Sequence, residues 1–413
     1  MALDLYEHNG NAYVAACEMM DKYSKAAIVH PTGTGKSYIA FKLIEDHPHE
    51  VIIWLSPSEY IFKTQRESLL RQDQDFPLQN VRFYTYAKLM CSTPEQLNQI
   101  AEQNPTYIIL DEFHRIGAEF WGESTQKLLA LCPQAKLLGL TATNVRYLDN
   151  NRDMAVELFD SHIASEMTLG EAIVRGILPA PKYVTTVFKY QQDLARYQSR
   201  VDNLRSPGIQ DVNQKYLDAL KRALEQADGL DKVFARHITN KSGKYIVFCS
   251  GNEHMDEMIS HVPEWFAAID TEPTVYKALS DDPATDKAFA AFKADTSTHL
   301  KLLFCIDMLN EGVHVEGISG VILFRPTISP IIYKQQIGRA LTAGDSATPL
   351  ILDVVNNFEG LSSISGLQNE MTAAVQRLYA NGEGGKIVTN RFEVVEQVHD
   401  CRVLFEQLQS SLS

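Results

Sequence analysis

The chain has 413 residues, a formal net charge of −14, 45% hydrophobic and 22% charged residues. That length exceeds one ordinary core and suits two or three domains. The charge excludes a protein that coats nucleic acid indiscriminately, though not a local basic groove, and no apolar run reaches the roughly 20 residues of a membrane span.

In chain order, "MALDLYEHNG" has no basic region followed by an apolar one, so no secretory signal is expected and the protein is read as cytoplasmic. Residues 1–165 alternate short apolar runs with helical patterns: "AAIVH", "VIIWLSP", "YIILDEFH" and "KLLGLTAT". Runs of this length ending in small or acidic residues predict buried parallel strands, with functional residues at their C-terminal ends. Residues 166–240 read as a linker and helical insertion, broken near Ser206-Pro207-Gly208. Residues 241–390 restore the strand pattern with "KYIVFCSG", "LKLLFCID", "GVILFRP" and "TPLILDVV". Residues 391–413 read as an amphipathic helix through Val395, Val398, Val403, Leu404 and Leu408. Cys17, Cys91, Cys132, Cys249, Cys305 and Cys401 lack metal-ligand spacing and read as reduced core thiols. "HPHE" (47–50) reads as a surface turn.

"VHPTGTGKSYIA" (29–40) carries the first chemistry. A strand, a glycine-rich turn and a helix N-terminus present backbone N–H groups to phosphate oxygens. Gly33 and Gly35 let the backbone curl closely, Lys36 neutralises β- and γ-phosphates, and Ser37 offers its hydroxyl to Mg²⁺. The general pattern opens with glycine; here His30 stands first, followed by Pro31, Thr32 and Thr34. A dinucleotide fingerprint fits worse, because Tyr38 takes its third glycine position. In "YIILDEFH", Asp111 suits a metal-holding role and Glu112 suits activation of the attacking water, as phosphoryl transfer requires.

The ordered set "PTGTGKS", "DEFH", "LTAT" and "QQIGRAL" resembles the superfamily 2 helicases and translocases, most of all the motor subunits of type III restriction enzymes and related DEAD/DEAH-type ATPases. The resemblance spans nearly the whole chain. It implies an α/β fold of two tandem RecA-like domains with parallel sheets and a helical connector, ATP with Mg²⁺ between them, and nucleic acid across both. It makes His30–Ser37 motif I and Asp111, Glu112, Phe113 and His114 motif II. It makes Thr141-Ala142-Thr143 motif III, coupling hydrolysis to nucleic-acid contact; threonine hydroxyls there can bridge the metal-site loop and His114. Ser56, Lys63 and Gln65 resemble motif Ia, and Thr85 and Lys88 motif Ib, as phosphate contacts of a nucleic acid. Asn9 or Asn11 stands where relatives read adenine with glutamine.

In the second half, "VFCSGNEH" resembles motif IV, with Ser250 a nucleic-acid candidate. "FCIDMLNEGVHV" resembles motif V, with Asp307, Glu311 and Gly312 at its turn and His314 where many relatives have Asp. "YKQQIGRAL" resembles motif VI through Gln335 and Arg339, the latter a candidate arginine finger; Thr342 replaces a second arginine. The implied function is a nucleic-acid-dependent ATPase acting on DNA in preference to RNA, alone or with a partner subunit, away from membranes. Two rivals are a double-stranded DNA translocase that separates no strands and an ATP-gated binding module with little turnover.

Overall fold

A computed structural model describes residues 3–72, 74–117, 121–143, 145–146, 152–188, 190–279, 285–306, 317–324, 330–342, 347–355 and 364–412. The chain divides into two units that part between Ala172 and Ile173.

In the first unit the apolar runs form β1 (Lys25–Val29), β2 (Ile52–Ser56), β4 (Tyr107–Asp111) and β5 (Lys136–Thr141), joined by β3 (Val81–Thr85) and β6 (Ile163–Glu166). All pairings are parallel, in the order β3-β2-β4-β5-β1-β6. Strands β2 and β4 are buried at every position, as their unbroken apolar runs require once both faces are covered. One face packs on α1 (Glu7–Tyr23), α2 (Ser37–Asp46) and α3 (Glu59–Gln72), through Ala16, Ile39 and Leu69 against Ile28, Trp54 and Ile109. The other packs on α4 (Tyr86–Met90), α5 (Pro94–Ala101) and α6 (Trp121–Leu131), through Leu89, Leu97 and Leu128 against Val29, Ile53 and Ile108. Within β5, Gly139 admits ring contact: a Cβ there would lie 2.3 Å from Phe159 and 2.9 Å from Phe113. The order places β5 between β1 and β4, so the loops after those three strands share one sheet edge.

The second unit holds β7 (Lys182–Val187), β8 (Lys244–Phe248), β9 (Thr274–Ala278), β10 (Lys301–Cys305), β11 (Gly320–Leu323), β12 (Leu350–Val355) and β13 (Glu393–Glu396). They form another wholly parallel sheet, in the order β9-β10-β8-β11-β12-β7-β13. Two parallel α/β units in tandem are thus the observed architecture. The helical region contains α7 (Gln191–Asp202), α8 (Pro207–Gln226) and α9 (Leu230–His237). Its expected break falls where Pro207 begins α8, a position that needs no N–H. These helices pack within the second unit: Tyr197, Leu217, Leu220 and Leu224 meet Cys401, Phe405 and Leu408 of α10 (His399–Leu412).

Two expectations are corrected. Residues 391–413 are not one helix. Glu393–Glu396 runs beside β7 as a strand, and the helix starts at His399. Val394 and Val395 are β-branched and favour the strand. The cysteines are all free, but Cys91 is exposed and Cys17 only half-buried. Cys91 caps the C-terminus of α4, where the chain has already left the core.

Candidate nucleotide site

The phosphate loop connects β1 to α2. Gly33 and Gly35 take φ values of +89° and +78°, a region L side chains rarely adopt, so the glycines answer to a backbone requirement. A Cβ on Gly35 would also stand 3.1 Å from Asn9 Nδ2. Thr34 pins the loop from inside: its hydroxyl donates to the Pro31 carbonyl at 2.8 Å. Its carbonyl accepts from Asn9 Nδ2 at 2.9 Å and from His8 Nε2 at 2.8 Å. Asn9 is thus a brace of the loop, buried to 1% exposure; Asn11 is exposed on α1. His30, in the usual glycine position, is buried. Its ring reaches Ser165 at 2.8 Å and its backbone N–H bonds Thr141. The imidazole therefore fills space beside β6, while the His30 backbone N–H ties motif I to motif III.

At the end of β4, Asp111 and Glu112 are buried to 1% and 4% exposure. Glu112 has φ +48°, which costs a non-glycine residue about 1–2 kcal/mol. The turn aims its carboxylate inward. Glu112 Oε1 pairs with Lys36 Nζ at 3.1 Å, and Oε2 accepts the Ala142 N–H at 3.4 Å. Thr141 donates its hydroxyl proton to the Thr143 carbonyl at 2.7 Å, leaving lone pairs for His114 Nδ1 at 2.8 Å. The Thr143 N–H returns to Thr141 Oγ1 at 3.3 Å. The bridge expected of motif III is formed. Burial and the adjacent Glu112 charge push the Asp111 carboxyl well above the ordinary range, against Lys36 and the Gln65 amide. Tyr86 Oη donates to the Asp111 carbonyl at 2.8 Å, fixing the strand end.

Gln65, expected to meet a nucleic-acid phosphate, does not face that way. Its Nε2 donates to Ser37 Oγ at 2.8 Å and to Asp111 Oδ2 at 3.3 Å. The side chain leaves α3 on the side of the phosphate loop. Ser56 also departs from expectation, because it is fully buried at the end of β2. Thr85 is 9% exposed and caps α4 by accepting the Lys88 N–H at 3.0 Å. Lys63 and Lys88 do face solvent, lining one groove with Arg66, Phe83 and Tyr84. Lys88 Nζ lies 5.3 Å from the Tyr84 ring centre. Two carboxylates, Glu59 and Glu67, share the groove, so its positive charge is modest.

In the second unit, Ser250 is exposed after β8, its hydroxyl 2.8 Å from His254 Nδ1. Arg339 follows the helix Pro330–Gly338 and is 6% exposed. The side chain of Gln335, and Asp307, Glu311, Gly312 and His314 entirely, lie outside the described residues.

Mg²⁺ and ATP fit the residues present. Ser37 Oγ and Asp111 Oδ2 converge on the single Gln65 amide nitrogen, and oxygen donors suit a hard divalent cation. Among the described residues, no group of three or more His, Cys, Asp and Glu is placed to hold a metal. Remaining ligands would come from phosphate and water.

The family model "Type III restriction enzyme, res subunit" matches residues 56–146, and "Helicase conserved C-terminal domain" matches residues 226–344. No curated protein matches the chain. Among solved structures, it is similar to the ATP-dependent Type ISP restriction-modification enzyme LlaBIII bound to DNA, with TM-score 0.60 and 15% identity over 99% of this chain and 33% of that one. It is also similar to a fragment of a putative HsdR subunit of a type I restriction enzyme from Vibrio vulnificus, with TM-score 0.55 and 18% identity over 95% and 69% of the two chains. A third is Dbp5 from S. cerevisiae bound to RNA and ADP BeF3, with TM-score 0.53 and 14% identity over 99% and 98%. The chain spans about a third of the length of the first. These structures share the fold: two tandem RecA-like domains. Motif order, fold and family models together define a superfamily 2 helicase-like chain. Within that class it is related to the motors of type III restriction enzymes. No helix among the described residues is long and apolar enough to cross a membrane.

Proposed function

We propose that the chain is an ATP hydrolase of the helicase type, dependent on nucleic acid and coupling turnover to translocation along it or to strand separation. The observation that carries this reading is the set of buried Lys36, Glu112 and Thr141 with half-buried His114, beside Ser37 and Asp111. The amides of residues 32–37 would receive the phosphates, and Mg²⁺, held by Ser37 and Asp111, would neutralise their charge. Lys36 then has a stronger partner than Glu112. Once released, Glu112 is positioned to accept a proton from water, and Thr141 passes its state to the adjoining loop through His114. Arg339, with Gln335 and Gly312, is assigned to the γ-phosphate side of the reaction. DNA is the proposed polymer because the similar restriction-modification enzyme LlaBIII is bound to it; RNA, to which Dbp5 is bound, is the alternative. The proposed setting is the cytoplasm, alone or with a partner subunit.

The second reading, an ATP-gated binding module, draws on Thr342 in the place of a second arginine. Steady-state ATP hydrolysis with single- and double-stranded DNA and RNA, with Glu112→Gln as control, decides between them. Stimulation by one polymer that vanishes in Glu112→Gln supports the motor and names its track. ATP binding without turnover under any condition sinks it.

A further inference from the structure

The groove along α3 and the adenine position both belong to the function already proposed. The Gln65 amide does not. It stands at the one point where Ser37 Oγ and Asp111 Oδ2 converge, 2.8 and 3.3 Å away. The atom that faces both oxygens is the amide nitrogen, which donates one N–H to each. That group is the nearest neutral equivalent of a cation: a compact, partly positive donor that bridges two oxygens. The other amide atom, Gln65 Oε1, is buried and has no hydrogen-bond partner among the described residues. A buried amide left half-satisfied is unfavourable. Gln65 therefore does not sit in a fully satisfied network, and its placement is explained by the two oxygens it holds.

We propose that Gln65 is a positioning residue that occupies the place of the divalent cation. Its amide bridges Ser37 and Asp111, and it must leave for a cation to be taken up between them. Two hydrogen bonds and the buried carboxylate they serve hold it there. A cation without phosphate ligands then competes poorly, and uptake is tied to the arrival of the nucleotide. The inference rests on the nucleotide reading above and deepens it.

Mn²⁺ serves as the spectroscopic probe. Its affinity for the full-length protein saturated with ADP is measured by electron paramagnetic resonance for wild type, Gln65→Met and Gln65→Ala. Methionine keeps the side-chain length on α3 and removes the amide. Metal-free ADP affinity and the thermal midpoint report whether each variant is folded. The expected result is tighter Mn²⁺ binding in both variants, by roughly 3- to 10-fold, the range that one or two exchanged hydrogen bonds give. A purely structural glutamine would lower the thermal midpoint and leave Mn²⁺ affinity unmoved. Equal or weaker Mn²⁺ binding in folded variants that still bind ADP overturns the inference and leaves the nucleotide site standing. A wild-type protein that binds no ADP overturns both.

Discussion

Lys36 Nζ lies 3.1 Å from Glu112 Oε1, so the lysine assigned to phosphate and the carboxylate assigned to water neutralise one another. Both are buried, with side chains 10% and 6% exposed. Breaking such a pair from one side leaves an uncompensated charge, at about 3–5 kcal/mol. Lys36→Ala is expected to lower the thermal midpoint and to abolish its rise on adding MgATP. Glu112→Gln should keep that rise while turnover falls by at least about 10²-fold. Thermal melts with and without MgATP, read beside an ATPase assay, check both.

Thr141 links the two motifs through its hydroxyl, touching His114 and Thr143. Thr141→Val keeps the shape and removes the polar atom. Polymer stimulation of ATP hydrolysis should fall by about 10-fold or more, on the scale of one or two lost buried hydrogen bonds. Thr141→Ser should recover most of it. Parallel loss in both variants would assign the position to packing.

Asn9 acts on the loop at a distance of 25 residues, through its bond to the Thr34 carbonyl. Asn9→Ala should weaken ATP and GTP by the same factor, about 5- to 10-fold, since a brace reads no base. A selective loss for ATP in a nucleotide titration would restore the adenine-reading assignment.

Gly139 has no room for a methyl group between Phe113 and Phe159. Gly139→Ala should cost about 1–3 kcal/mol in denaturant unfolding, the range for overpacked cores. Because Phe113 adjoins Glu112, turnover should fall with it.

Asp295 gives the second unit an acid-sensitive contact. Partial burial pushes its pKa up, but the Tyr276 hydroxyl at 2.7 Å, the Ser297 N–H and the Lys301 charge outweigh this and hold it at about 2. The folded value is depressed, so the contribution is present above the unfolded value of ~4 and disappears as pH falls through about 2. Tyr276→Phe should narrow the stability difference between pH 5 and pH 2.5, measured by urea unfolding at each pH.

Most of the sheet scaffold was legible because strands covered on both faces spell themselves as unbroken apolar runs, as in "YIILD" and "KLLGL". The phosphate loop and the acidic strand end were legible for a related reason: their chemistry requires fixed residue types at short spacing. What escaped was contact across long separations. Gln65 read as a phosphate contact for a nucleic acid, and only the folded chain brings α3 beside the phosphate loop, where that amide meets Ser37 and Asp111 instead. Thr85 and Ser56 looked available to a ligand, yet one is spent on a helix cap and the other lies beneath the sheet edge. "FEVVEQ" shows too short an alternation to distinguish a strand from the start of a helix.

Strand β7 lies between β12 and β13, both supplied from far downstream; Tyr183 bonds Asp353 across 170 residues. During synthesis β7 emerges with neither neighbour available. Its amide edge stays open until almost all of the second unit has left the ribosome, whereas every strand of the first sheet is present by Glu166. The nucleotide-binding half is therefore able to assemble first, while the second half waits with an edge open to wrong pairing. Shortening the chain before residue 393 would leave that edge permanently exposed, so such a truncation is more prone to aggregate than to lose a dispensable tail.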